Sequence, residues 1–172
     1  MAVSFEPKEL NVYLFYLINH NNHPYLDLFF QYFRLLGKGW VLLLAFLVVL
    51  LFQGERLKLF LLLFFIESLT VNLLKIVFSA PRPAKVLQDV HLLEPLYHKS
   101  FPSGDTAMAF ALATFFSSGA PLWLKPLLWV YALLIGYGRV YVGAHFPFDV
   151  VVGALIGTLS YFVAHRLLKL VE

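Results

Sequence analysis

With 172 residues, 60% of them hydrophobic and 13% charged, and a mean hydropathy of +0.78, the chain is one domain too apolar for the ordinary soluble class; it reads as an integral membrane protein. Its net charge of +3 is small and scattered between apolar segments, which argues against a nucleic-acid partner. The absence of cysteine excludes disulfides, thiolate catalysis and cysteine-ligated metals, and an N-terminus carrying Glu6, Lys8 and Glu9 lacks the basic leader and apolar core of a signal peptide.

Residues 8–20 are apolar but too short to cross a hydrocarbon core that needs about 20 helical residues, so an interfacial helix is expected there. After the breaker Asn21-Asn22-His23-Pro24, a second helix runs to Leu36. Asp27, Gln31 and Arg34 give it one polar face, the pattern of a helix lying in the interface, and Pro24 and Gly37 suit its two ends. The first spanning segment runs from about Lys38 to Gln53, with Trp40 as an interface anchor, and Gln53-Gly54-Glu55-Arg56 turns the chain.

The next apolar run, Leu57 to Phe78, turns polar in its second half. Ser68, Asn72, Lys75 and Ser79 share a helical face, and a buried Glu67 needs a partner, for which Lys75 two turns on is a candidate. Pro81, Pro83 and Pro95 then mark residues 80–100 as an extramembrane loop, in which Lys85, Tyr97 and Lys99 are candidate headgroup contacts. Spanning segments follow at Ser103 to Ser118, Leu122 to Tyr141 and Phe146 to Leu170, the last with Gly153 and Gly157 spaced for close helix approach. The expected architecture is therefore all-α: a single membrane-embedded domain over residues 1–172, a polytopic bundle of about five to six membrane helices plus interfacial helices at 8–36.

With five spans, Lys75, Arg82, Ser103, Arg139 and His145 fall on one side of the bilayer and Arg56, Lys58, Lys125, Arg166 and Lys169 on the other. The second set consists of ordinary loop and terminal cations, which stay in the cytoplasm, so the first set should face outward: toward the periplasm in a Gram-negative inner membrane.

That outward set has the parts of a phosphate site. Arginine offers a planar fork to phosphate oxygens, lysine a point charge, and a helix N-terminus unpaired N–H groups with a favourable dipole. Ser103 is a good N-cap, and Gly104 lets the backbone approach an anion. His145 suits a nucleophile or base if a neighbour orients it, and Asp149, four residues on, is the obvious partner. The other histidines, His20, His23, His91, His98 and His165, lack metal-site spacing, so no metal is expected.

Lys75-x6-Arg82-Pro83, Pro102-Ser103-Gly104-Asp105 and Arg139-x5-His145-x3-Asp149 together resemble the three-part signature of the type 2 phosphatidic acid phosphatase superfamily, which also includes the vanadium haloperoxidases. The resemblance covers residues 75–149, and the compact chain is similar to small bacterial lipid A 1-phosphatases. It implies a phosphatase, free of metal and cofactor, acting on a lipid phosphate in the bilayer through a phosphohistidine: His145 attacks, Asp149 orients it, and Lys75, Arg82, Arg139 and the backbone after Ser103 and Gly104 hold the oxygens. Lipid A 1-phosphate is the first expectation; undecaprenyl pyrophosphate and phosphatidylglycerophosphate are the alternatives, and a non-catalytic lipid-phosphate binder or transporter is the reading from another class.

One position departs from the signature. The second motif normally ends in a histidine that protonates the leaving oxygen, and here it ends in Asp105. Three readings stand: an acid kept protonated by burial, a positioning group for water or a cation, or lost turnover. Since an anomeric oxygen or phosphoanhydride needs little acid help, Asp105→Ala should cost far less turnover than His145→Ala on such a substrate. Phosphate release from a lipid bearing an anomeric phosphate measures this, and equal losses would refute it.

Overall fold

The computed structural model describes residues 8–96 and 99–171, so Glu6, Tyr97 and His98 lie outside it. Within that range the chain is helical without strands: α1 (Lys8–Asn19), α2 (Pro24–Phe33), a 3-10 turn (Arg34–Gly37), α3 (Gly39–Phe52), a second 3-10 turn (Gly54–Arg56), α4 (Leu57–Phe78), the short α5 (Pro83–Val86), α6 (Gly104–Ser117), α7 (Leu124–Tyr141) and α8 (Pro147–Val171). Their boundaries follow local chemistry. His23 caps α2, whose first residue is Pro24; Ser103 caps α6 through the Thr106 amide; Pro147 opens α8 with its φ preset.

α6 is the central element, packed against α4, α7 and α8. Its composition explains that place: Ala107, Ala109, Ala111 and Ala113 are fully buried, so neighbouring backbones can come close. α8 uses this freedom most. A Cβ at Gly153 would lie 2.5 Å from the Ser103 carbonyl oxygen, and one at Gly157 would overlap the Ala107 carbonyl. At the far end of α6, Arg56 lies over the Phe115 ring and donates to the Phe115 carbonyl, fastening the α3–α4 turn there. A core of Phe60, Leu63, Phe64, Leu112 and Phe115 fills the space between.

By length and composition, α4 with its flanks and α8 are long and apolar enough to cross a membrane, and α2 with α3 adds a third if the 50° bend between them interrupts one span. Lys38 sits in that bend. With 14 residues, α6 is shorter than the roughly 20 residues of a full crossing and is enclosed by protein, so it need not resemble a lipid-facing segment.

Two expectations change. Glu67 is buried but accepts from Ser68 Oγ at 3.1 Å, while Lys75 turns to the carbonyls of Lys99 and Pro102, so the pair considered between them does not form. The two groups lie two turns apart, and the carbonyls beside Lys75 satisfy the ammonium without bending the chain. The second is what the polar face of α2 meets: Asp27 and Arg34 bond to side chains of other segments, as described below, while Gln31 is exposed.

The α6–α8 contact is backbone against backbone, with no flexible side chain able to yield. Gly157→Val should therefore destabilise the detergent-solubilised chain by about 3 kcal/mol or more, at or beyond the upper end of ordinary overpacking. Gly54→Ala, a change into open space, should leave the thermal midpoint where it was. Equal midpoints for all three proteins would refute the close-packing account.

Candidate functional site

All eight residues singled out from the sequence gather around the N-terminal end of α6. Ser103 is fully buried; its Oγ accepts from the Thr106 amide at 3.4 Å and lies 2.9 Å from Thr106 Oγ1. Its amide donates to the Asp149 carbonyl at 3.0 Å, which fixes the first turn of α6 against the first turn of α8. Lys75 reaches the same turn from α4, donating to the Pro102 carbonyl at 2.8 Å and that of Lys99 at 3.1 Å.

His145 lies between α7 and α8, 3% exposed. Its Nδ1 is 3.2 Å from Asp149 Oδ2, and that oxygen also accepts from the Phe146 amide at 3.1 Å and from Ser100 Oγ. On the other side, Arg82 Nη1 lies 3.2 Å from His145 Nε2 and 2.7 Å from the Ala144 carbonyl. A carboxylate at Nδ1 and a guanidinium donor at Nε2 assign the ring proton to Nδ1 and leave the lone pair on Nε2. That is the tautomer a nucleophile needs. Burial pulls the imidazole down to about 4, opposed by Asp149 and reinforced by Arg139 and Arg82.

Arg139, 1% exposed, is held differently from Arg82. Its Nη1 donates to Glu94 Oε2 at 2.5 Å and lies 3.2 Å from Asp105 Oδ2. Its buried Nε has no hydrogen-bond partner among the described residues. Glu94 also takes Arg34 Nη1 and Lys38 Nζ, each at 2.8 Å on Oε1, and Lys38 Nζ reaches Asp105 Oδ2 at 2.9 Å. Three cations thus share two carboxylates. Burial alone would raise the Glu94 carboxyl, but Arg139 and Lys38 outweigh it and bring it down to about 2.

Beside this network a cavity of about 220 Å³ opens beneath the 80–100 segment, walled by Arg82, Lys85 and Glu94 and by the apolar Leu92, Pro95 and Leu96. Gly143, at φ +76, forms part of its lining; a Cβ there would press on the His91 carbonyl at 2.8 Å. A second cluster buttresses it: Asp27 accepts from Tyr141 Oη at 2.6 Å and lies 2.9 Å from His91 Nε2, and Asn19 donates to the His91 and Tyr141 carbonyls.

Ser100, Glu94, Arg34 and Lys38 are the residues of this site that sequence reading missed. Ser100 sits two residues from Pro102 and was available by proximity. Glu94 gave no signal beyond being a carboxylate between Leu93 and Pro95. Arg34 was assigned to a polar face, and Lys38 to the start of a span.

With Nδ1 protonated and the ring held neutral by burial, His145 should keep the neutral tautomer's ring-nitrogen shifts at pH 6 in the detergent-solubilised chain and change only toward pH 4. Nitrogen NMR with labelled histidine tests this. A transition centred near the ordinary value of about 6.5 would refute it.

A profile of the PAP2 superfamily matches residues 56–171. The undecaprenyl-diphosphatase of Sulfolobus acidocaldarius is 31% identical over 157 residues, which is 90% of this chain and 76% of that protein. The lipid A 4'-phosphatase of Bacteroides thetaiotaomicron is 40% identical over 72 residues, 39% of this chain and 32% of its own length. Among solved structures, Aquifex aeolicus LpxE superposes with a TM-score of 0.90 at 47% identity, covering 96% of this chain and 99% of that one. A phosphatidylglycerolphosphate phosphatase of Bacillus subtilis shares the fold, with a TM-score of 0.76 at 22% identity over 96% of this chain and 87% of its own. With the three motifs converged at one end of an apolar bundle and the likeness running through nearly the whole chain, the protein belongs to the PAP2 superfamily and is a membrane lipid phosphatase.

Proposed function

We propose that the chain removes a phosphate from a lipid headgroup through a phosphohistidine on His145, without a metal, and that lipid A 1-phosphate is its substrate. The observation that carries the mechanism is the His145 geometry: Nδ1 against Asp149 and Nε2 against Arg82. An arriving phosphate takes over the Arg82 donor, and the freed Nε2 lone pair attacks phosphorus. Asp149 stabilises the imidazolium that forms, as an orienting carboxylate does for a catalytic histidine. Lys75 and the amides at the start of α6, after Ser103 and Gly104, hold the phosphoryl oxygens, and Arg139 adds its unpartnered Nε donor. Positioning and charge stabilisation of this kind supply most of the acceleration in phosphoryl transfer.

The substrate choice rests on two supports. Aquifex LpxE matches almost end to end at 47% identity. Asp105 accepts from Lys38 and lies beside Arg139, so its carboxylate is engaged as an acceptor, and an anomeric oxygen is the kind of leaving group that asks least of it. The Sulfolobus and Bacteroides relatives keep a polyprenyl diphosphate and other lipid A phosphates as the alternatives.

The chain would lie in the inner membrane with the site facing the periplasm. Arg56 fastens the end of α6 opposite Ser103, in keeping with Arg56, Lys58 and Lys125 on the cytoplasmic side. Residues 8–36 would rest at the outer interface, and residues 80–100 would cover the headgroup.

The test is phosphate release from a panel comprising lipid A with a 1-phosphate, undecaprenyl diphosphate and phosphatidylglycerophosphate, with His145→Ala as the blank and a chelator present. The anomeric phosphate should turn over fastest, the chelator should change nothing, and His145→Ala should fall to background. Chelator-sensitive turnover, or activity surviving in His145→Ala, would overturn the mechanism; preference for a diphosphate would overturn the substrate.

A further inference from the structure

The family signature places a proton donor where this chain carries Asp105, and the contacts around that carboxylate identify what stands in its place. Asp105 is an acceptor in both of its ion pairs, from Lys38 Nζ at 2.9 Å and Arg139 Nη1 at 3.2 Å, on the same oxygen. Of the cations in this network, Arg139 and Arg34 carry guanidinium protons that proteins do not give up. Lys75 is turned to backbone carbonyls at the Pro102 turn. Among the described residues of this network, Lys38 is the one that is held by carboxylates alone and has a proton that can transfer.

Its setting fits the task. Lys38 lies in the bend between α2 and α3, before the residues matched by the family profile, and its side chain is 27% exposed. Two carboxylates from separate segments, Glu94 and Asp105, hold its ammonium at 2.8 and 2.9 Å. An ammonium has three donors, so one remains for a substrate atom. Asp105 directly follows the Ser103-Gly104 turn, and Glu94 walls the cavity that Arg82 shares, so the two carboxylates that hold the ammonium link it to that turn and to the cavity wall.

We propose that Lys38 is a catalytic residue, the proton donor to the leaving oxygen, and that Asp105 and Glu94 are the positioning residues that aim it; this rests on the phosphohistidine reading above. As the bond from His145 Nε2 to phosphorus forms and the bond from phosphorus to the leaving oxygen breaks, that oxygen takes a proton from the Lys38 ammonium. The lipid leaves as an alcohol, and Lys38 is left as an amine. In the second step the amine takes a proton from the water that attacks the phosphohistidine. Phosphate is released, and the ammonium and neutral His145 are restored. An aspartate at position 105 is then a better partner than a histidine, because a carboxylate pairs its charge with the ammonium while an imidazole offers at most a neutral acceptor.

The experiment compares leaving groups in the full detergent-solubilised chain. Phosphatidic acid, with a poor alkoxide leaving group, and p-nitrophenyl phosphate, with a good phenolate, are assayed in the native protein, Lys38→Arg, Lys38→Gln and His145→Ala. Lys38→Arg keeps the ion pairs but holds its proton, so turnover of phosphatidic acid should drop by about 10²- to 10⁴-fold, the usual worth of a general acid, while the aryl ester stays near the native rate. Methylammonium added to Lys38→Gln should restore turnover of phosphatidic acid selectively. Equal losses on both substrates, unchanged rates on both, or no selective rescue would overturn the role of Lys38. Turnover that survives in His145→Ala, or no turnover by the native protein of these two substrates and of lipid A 1-phosphate alike, would instead overturn the underlying phosphohistidine reading and this proposal with it.

Discussion

The close approach of α6 and α8 is the constraint on which the site depends. The proposed mechanism requires a helix N-terminus that receives phosphate and a histidine that attacks it to be held to within a fraction of an ångström of one another, although they belong to different parts of the bundle. Here the register is set by backbone. Gly153 and Gly157 bring α8 onto Ala107 and the Ser103 carbonyl, and the Ser103 amide bonds to the Asp149 carbonyl. No rotamer intervenes between the Ser103 turn and the backbone of Asp149. Ala107 and Ala111, the small residues of α6 that α8 meets, then stand as the condition for the geometry at its end as much as a packing solution.

Charge is the second organising theme. Lys75, Arg82, Arg139, Arg34 and Lys38 converge in a protein built for a bilayer, where an uncompensated ion costs several kcal/mol. The chain meets this cost in two ways. On the nucleophile side, Lys75 and Arg82 take backbone carbonyls, neutral partners that a dianionic phosphate can outcompete. On the opposite side, Arg139, Arg34 and Lys38 take the full charges of Glu94 and Asp105, which hold against exchange. The cations near His145 are thus held by neutral carbonyls and those near Asp105 by carboxylates.

Much of this was legible in the sequence, and what escaped did so for physical reasons. Hydrophobic segments and Pro or Gly punctuation located the helices, and three spaced motifs named residues that converge at one end of α6, because both are local properties of the chain. Gly153 and Gly157 announced the α8 contact by their spacing. The pairing of Glu94 with Arg34, Lys38 and Arg139 was invisible because it joins segments as far apart as 60 residues and leaves no periodic trace. Glu67 and Lys75 misled for the converse reason: proximity along a helix is no guarantee of a pair when carbonyls lie closer to the ammonium. Asp27 and Arg34 read only as part of an interfacial polar face since sequence shows polarity and not what meets it.

Residues 8–38 bear on how such a protein diverges. Asn11 accepts the Phe148 amide in the first turn of α8, Asn19 ties the His91 segment to α7, and Arg34 and Lys38 complete the acidic cluster, all from outside the region that carries the family motifs. The first helices are therefore a working wall of the site and no mere anchor. Substitutions there can retune the headgroup side while leaving every motif residue intact, so relatives with the same three motifs and different N-terminal helices are free to serve different lipids.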